Sequence, residues 1–186
     1  MKALFVDRDG VINKDPGGWT EHSYVTNWKS FQFLPGAIEA LKLLKEHGVK
    51  VIVISNQAGV AKGFFTEKQL NAVTRRMLQE IERSGGAIEG VLYCTHKKED
   101  GCACRKPKTG MLDAALEKYR IDHRRTFFVG DSAMDVEAGR KAGLRTILLL
   151  CGKSTEEDAA TWPITPDHVK RDLLDAVQWL VKEHML

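Results

Sequence analysis

Five short, continuous apolar runs, each separated from the next by a stretch of helical spacing, are the strongest constraint on what this chain can become. Ala3-Leu4-Phe5-Val6, Val49 to Ile54, Val91 to Tyr93, Thr126 to Val129 and Thr146 to Leu150 read as buried strands. Between them, Ala37 to Glu46 stops at Gly48, and Thr66-Glu67-Lys68-Gln69 spells a capping box ahead of Leu70, Val73, Met77 and Ile81. Met111 to Tyr119, Met134 to Ala142 and Leu173 to Val181 supply three more helices. Strands that are apolar throughout are covered on both faces, and parallel neighbours need a connection long enough to hold a helix. The expectation is a doubly wound α/β fold, a parallel sheet with helices on both faces, whose ligands sit beyond the carboxyl ends of the strands.

One domain spanning residues 1–186 is expected, since a chain of that length with 43% apolar residues builds one sizeable core. Its 28 Lys and Arg against 25 Asp and Glu are spread along the sequence, which argues against a nucleic-acid partner. No apolar run approaches the roughly 20 residues that span a bilayer, and Ala3 to Val6 is too short for a signal-peptide core. A cytoplasmic protein with no membrane or nucleic-acid partner is expected, with a monomer as the default.

The first strand runs straight into Asp7-Arg8-Asp9-Gly10. In extended backbone, residues two apart point the same way, so Asp7 and Asp9 are expected to face one ligand and Arg8 to face elsewhere. A solvated Asp-Gly turn would carry the same letters. The other strand ends decide against it: the second delivers Ser55-Asn56-Gln57, and the fourth delivers Gly130-Asp131-Ser132 with Asp135 following. Arg105-Lys106-Pro107-Lys108 adds cations ahead of a helix. Carboxylates, a hydroxyl and a lysine on one sheet edge point to phosphoryl transfer assisted by Mg2+, a hard cation that takes oxygen ligands and bridges carboxylate to phosphate.

A second cluster lies in the segment Cys94-x-His96 and Cys102-x-Cys104. Four ligands of this kind fit a closed tetrahedral site for structural Zn2+, with no position left open for water. Cys151 beside Ile147 to Leu150 reads as an inert core thiol. The remaining histidines, His22 included, read as solvated, and Trp19 is the tryptophan nearest the acidic motif, more a packing residue than a substrate platform.

The order Asp7-x-Asp9-Gly10, Ser55, Lys106, and Gly130-Asp131 with Asp135 resembles the four motifs of the haloacid dehalogenase (HAD) superfamily of phosphatases, over nearly the whole chain. Val6 to Asn13, Ser55-Asn56-Gln57-Ala58-Gly59 and Cys104-Arg105-Lys106-Pro107 are similar to the branch that holds the D-glycero-D-manno-heptose 1,7-bisphosphate 7-phosphatases and the histidinol-phosphate phosphatases. The resemblance implies that Asp7 is the nucleophile and Asp9 the general acid and base, with a pKa raised by burial and neighbouring carboxylates. It implies that Mg2+ is held by the Asp7 side chain, the Asp9 main-chain carbonyl and Asp131, with Asp135 behind them. Ser55 and Lys106 would stabilise the phosphoryl oxygens. Asn56, Gln57, Ala58, Arg105, Ser132 and the loop Asp15-Pro16-Gly17-Gly18 would contact substrate.

In that branch the Cys94 to Cys104 loop binds zinc, which here would fix Arg105 and Lys106 by holding the loop that presents them. Neither interval between motifs is long enough for a full cap domain, so the site is expected to be open, covered by the Asn13 to Phe33 excursion and the zinc loop. The implied substrate is a small phosphosugar, a heptose 1,7-bisphosphate first and histidinol phosphate second. Ser132 stands where heptose-bisphosphate phosphatases commonly carry Lys, which keeps both open. A binding protein that holds phosphometabolites without turning them over is the alternative of another class, and the Asp7 and Asp9 pair argues against it.

Overall fold

The computed structural model describes residues 2–17 and 20–185. Gly18, expected at the substrate, and Trp19 lie outside the described residues.

The apolar runs form a six-stranded, wholly parallel sheet in the order β3-β2-β1-β4-β5-β6. The strands are β1 (Ala3–Val6), β2 (Lys50–Asn56), β3 (Gly90–Cys94), β4 (Phe127–Gly130), β5 (Arg145–Leu149) and β6 (His168–Lys170). Each central strand divides its residues between two cores, as the two-residue repeat of extended chain requires. On one face Leu4, Val6, Val51, Val53 and Val129 pack against α1 (Ala37–Glu46), α2 (Glu67–Arg83) and α6 (Leu173–Lys182). On the other, Phe5, Ile52, Ile54 and Phe128 meet α3 (Gly110–Tyr119) and α4 (Ala133–Lys141).

The expected five strands become six, and a short helix α5 (Glu156–Ala160) precedes the added strand. β6 is only three residues, half-buried His-Val-Lys at the sheet edge, so it carries neither a continuous apolar run nor a clear alternation. The other elements lie within one or two residues of expectation.

Strand order decides where a site can form. β1, β2 and β3 run outward on one side, and β4, β5 and β6 on the other, so the order reverses between β1 and β4. Asp7 follows β1 and Asp131 follows β4 at that boundary. The Asn13 to Phe33 excursion is pinched at its base by an Asn13–Phe33 bridge and by the Lys14 N–H donating to the Gln32 carbonyl at 2.8 Å. Its described residues carry only single 3-10 turns. Trp28 stacks on Phe31 (centroids 4.9 Å apart), and Arg76 of α2 lies over the Trp28 ring. Val25 and Phe31 of the excursion are buried in the core shared with α1, α2 and α6, so the excursion has no core of its own.

Candidate active site

Backbone geometry brings the acids together before any side chain reaches out. At the end of β1 the chain curls, with Ile12 and Asn13 N–H groups both donating to the Arg8 carbonyl and Gly10 at φ 79°. An added Cβ at Gly10 would sit 2.0 Å from Asp131 Oδ2, so only glycine lets this loop approach β4 so closely. Asp7, Asp131 and Asp135 then place carboxylate oxygens within 4.8 Å of one another. Lys106 reaches in from the loop ahead of α3, with Nζ 2.9 Å from Asp7 Oδ2, 2.6 Å from Asp135 Oδ1 and 2.9 Å from the Ile54 carbonyl.

Three buried acids face one buried ammonium. Burial pushes the Asp7 carboxyl up to about 6, against the opposing pull of Lys106. Asp131 is held well above the ordinary carboxylate range by burial, then by Asp135 and Asp7. Desolvation works against the Lys106 charge, but Asp135 and Asp7 outweigh it and hold its ammonium above the ordinary lysine value. The formal balance of three negative charges and one positive leaves two unneutralised, in an all-oxygen donor set that suits a divalent hard cation. Asp135 is the least available of the three. Its Oδ1 meets Lys106 and its Oδ2 accepts from the Ser132 hydroxyl at 2.6 Å and from the Ser132 N–H at 3.2 Å, which caps α4.

Arg8 is fully buried away from the space that Asp7 and Asp9 share, but its guanidinium makes a contact that was not expected: it turns back and grips Asp9 in a bidentate pair, with contacts of 2.9 to 3.2 Å. Asn13 and Gln57 each donate to the same carboxylate at 2.8 Å. Strand alternation ended at Val6, so it no longer dictated where Arg8 and Asp9 pointed. Asp9 is thus ringed by donors instead of by other acids.

The acids form the floor of a cleft of about 310 Å3. Asp7, Asp9, Asp15, Pro16, Ser55, Asn56, Arg105, Lys106, Asp131, Ser132 and Asp135 line it. Gln57 and Ala58, expected at the substrate, are buried and do not; Gln57 instead bonds Asp9 and, at 3.2 Å, the Ser55 hydroxyl. Gly17 is exposed beside the cleft and donates to Asp15. Asn56 is tied to the Lys106 main chain, donating to its carbonyl and accepting from its N–H, each at 3.1 Å. It fixes the loop that presents Lys106.

His22, Tyr24, Lys62, Phe64, Met134 and Lys153 also line the cleft and were not anticipated. His22, read as solvated, stacks on Phe64 with centroids 4.2 Å apart. Lys62, Phe64 and Lys153 follow the carboxyl ends of β2 and β5, a position that would have marked them.

The second cluster assembles as its spacing implied. Cys94 Sγ lies 3.7 Å from Cys102 Sγ and 3.1 Å from Cys104 Sγ, Cys102 and Cys104 are 3.4 Å apart, and His96 Nδ1 is 3.2 Å from Cys104. Ligands 2.3 Å from a tetrahedral zinc would stand about 3.8 Å from one another, so these four donors surround a volume of that size. Arg105 follows directly, with Nη1 3.4 Å from the His96 carbonyl.

A D-glycero-beta-D-manno-heptose-1,7-bisphosphate 7-phosphatase of Pasteurella multocida is 40% identical over 84% of this chain and 86% of its own. The enzyme of the same name from Haemophilus ducreyi is 34% identical over 96% and 98%. The chain belongs to the HAD phosphatases, in the heptose-bisphosphate phosphatase branch. The sequence model of the HAD-hydrolase-like family matches residues 103–176. The crystal structure of a D,D-heptose 1,7-bisphosphate phosphatase from B. bronchiseptica, complexed with magnesium and phosphate, superposes with a TM-score of 0.90 at 32% identity, covering 98% of this chain and 99% of that one. This HAD phosphatase has no helix, among the described residues, long and apolar enough to cross a membrane.

Proposed function

We propose that this HAD phosphatase is a one-domain, cytoplasmic, monomeric enzyme that removes the 7-phosphate of D-glycero-D-manno-heptose 1,7-bisphosphate through an aspartyl-phosphate on Asp7. The observation that carries the reading is the placement of Asp7, Asp131, Asp135 and Lys106 in one cleft at the reversal of strand order. The names of the relatives and of the superposed structure supply the substrate.

Asp7 and Asp131, with the Asp9 carbonyl, would hold Mg2+, which when bound offsets the repulsion between the carboxylates and an incoming phosphate. Asp7 forms its bond to phosphorus as the bond to the sugar oxygen breaks. Asp9, aimed by Arg8, Asn13 and Gln57, gives its proton to that leaving oxygen and afterwards takes one from the water that attacks the aspartyl-phosphate. Water attack on phosphorus returns Asp7 as a carboxylate and releases inorganic phosphate. Lys106 and the Ser55 hydroxyl donate to the phosphoryl oxygens, each worth about 3 kcal/mol where such donors are preorganised. Zn2+ on Cys94, His96, Cys102 and Cys104 would be structural, holding Arg105 and Lys106 at the cleft.

The test is steady-state phosphate release from heptose 1,7-bisphosphate and from histidinol phosphate, with 31P NMR to identify the phosphate removed. Loss of the 7-phosphate, dependent on Mg2+ and absent in Asp7→Asn, is expected. A preference for histidinol phosphate of more than about tenfold in kcat/KM, about 1.4 kcal/mol in transition-state binding, would overturn the substrate. Activity untouched by Asp7→Asn would overturn the mechanism.

A further inference from the structure

Among the described residues, Arg8 is the largest side chain that is fully buried. A long, many-rotamer side chain keeps one geometry only where its far end is fixed, and here that end aims Asp9. Asp9 takes one edge of the guanidinium. Behind the guanidinium stands Tyr93 of β3, with Arg8 Cζ over its ring, 5.6 Å from the centroid and within cation–π range.

Tyr93 is itself held from the other side. Val91, two residues earlier on β3, packs on the core that α2 closes, and Tyr93 shares that face. There its hydroxyl meets Thr74 Oγ1 of α2 at 2.9 Å. A threonine hydroxyl carries one proton, and Thr74 gives it to the Leu70 carbonyl, also at 2.9 Å. The proton between the two hydroxyls is therefore Tyr93's own, which leaves the phenol oxygen only lone pairs to offer the cation. Burial opposes the Arg8 charge, but Asp9 first and Tyr93 after it outweigh burial and hold the guanidinium above the ordinary arginine value. Neither Tyr93 nor Thr74 lines the cleft, so neither binds substrate.

We propose that Tyr93 is a positioning residue for proton transfer: anchored on Thr74, it backs the Arg8 guanidinium and so fixes the direction in which Asp9 presents its proton to the leaving oxygen. The proposal rests on Asp9 acting as the general acid. Asn13 and Gln57 still donate to Asp9 when Tyr93 is changed, so the group stays in the site and loses aim. A misplacement of about 1 Å can cost about a hundredfold in rate, and two remaining donors reduce that.

The test compares kcat/KM, which reports the step that breaks the ester bond, for two kinds of ester. The leaving group of p-nitrophenyl phosphate departs with little help from an acid, whereas an alkyl phosphate needs its alkoxide protonated. Heptose 1,7-bisphosphate or histidinol phosphate serves as the alkyl ester, whichever the wild type hydrolyses faster. Tyr93→Phe is expected to lower kcat/KM about tenfold for the alkyl ester and less than about threefold for the aryl ester. Thr74→Val should shift the ratio the same way, and Thr74→Ser should restore it. Because Tyr93 acts through Arg8, adding Tyr93→Phe to Arg8→Met should lower either value by less than about twofold more. Equal falls on both esters in Tyr93→Phe, wild-type activity on both, or independent effects of the Arg8 and Tyr93 substitutions would overturn the proposal. Asp9→Asn separates the two levels of the argument. If Asp9→Asn shows the split between esters and Tyr93→Phe does not, the proposal alone falls; if Asp9→Asn loses both esters equally, the acid reading falls and takes this inference with it.

Discussion

Replacing Arg8 by Met probes the contact in the site that strand geometry did not foretell. The guanidinium is 0% exposed and makes three contacts with an Asp9 carboxylate that keeps 16% exposure. Removing one partner of a buried ion pair strands the other charge, at a cost of about 3 to 5 kcal/mol. Two features lower that figure. Asn13 and Gln57 still donate to Asp9 at 2.8 Å each, and Arg8 Nη1, buried with no acceptor among the described residues, no longer has to be desolvated. The expected loss is about 2 to 4 kcal/mol, a fall in Tm of about 5 to 12 °C for a chain of this length. Arg8→Met combined with Asp9→Asn leaves no stranded charge and should recover at least about half of that loss. Calorimetry on the four proteins of the cycle, in saturating Mg2+, measures the coupling. In turnover of p-nitrophenyl phosphate, Arg8→Met should lower kcat by more than about tenfold with little change in KM, because Asp9 loses its aim but stays in place. A stability loss under about 1 kcal/mol, or a cycle whose single effects simply add, would refute the claim that Arg8 works through Asp9.

Asp7→Asn should abolish turnover, by at least about a thousandfold, and yet stabilise the protein in EDTA. Burial lifts the folded pKa of Asp7 from 3.8 to about 6, so the folded state holds the extra proton across that window, stability falls as pH climbs through it, and the penalty is complete above pH 6. The expected gain at pH 8 is about 1 to 2 kcal/mol, fading below pH 4 in thermal melts; destabilisation at pH 8 would contradict the sign. Gly10→Ala puts a methyl group 2.0 Å from Asp131 Oδ2 in a backbone of positive φ, and titration calorimetry should show Mg2+ affinity weakened by about tenfold or more. At Asp167 burial opposes the charge, but the Thr146 N–H at 2.8 Å, its hydroxyl at 2.9 Å and Arg140 prevail and hold the carboxyl below its ordinary range. Asp167→Asn should cost about 1 to 2 kcal/mol at pH 7, and its difference from the wild type should shrink as pH falls below 3.8, where the unfolded chain takes up a proton that the folded carboxylate resists until its own lowered pKa is reached.

The alternation of apolar runs with helical spacing was sufficient for the parallel sheet, because burying a strand on both faces leaves few other architectures. It was sufficient too for the rim on which Asp7, Ser55, Lys106 and Asp131 meet, since each lies at the end of a strand, just after one or just before a helix whose limits are written locally. The four zinc-type ligands were legible for the same reason: they lie within eleven residues, Cys94 to Cys104, and short chain distances limit how far apart they can fold.

What local pattern could not supply were contacts made across the fold. Asn56 meeting Lys106, Gln57 meeting Asp9 and Lys106 meeting Asp135 join residues 29 to 50 positions apart in the chain. The inward turn of Arg8 depends on a curl after the last residue of β1, where period-two reasoning has ended. The upper wall of the cleft, built from His22, Lys62, Phe64 and Met134, draws on two separate connections and the first turn of α4. Spacing along a chain constrains a side chain only as far as the next regular element extends. Which carboxylate is paired, which is buried and which faces the substrate depends on the packing of elements remote in sequence, and only the folded structure sets that.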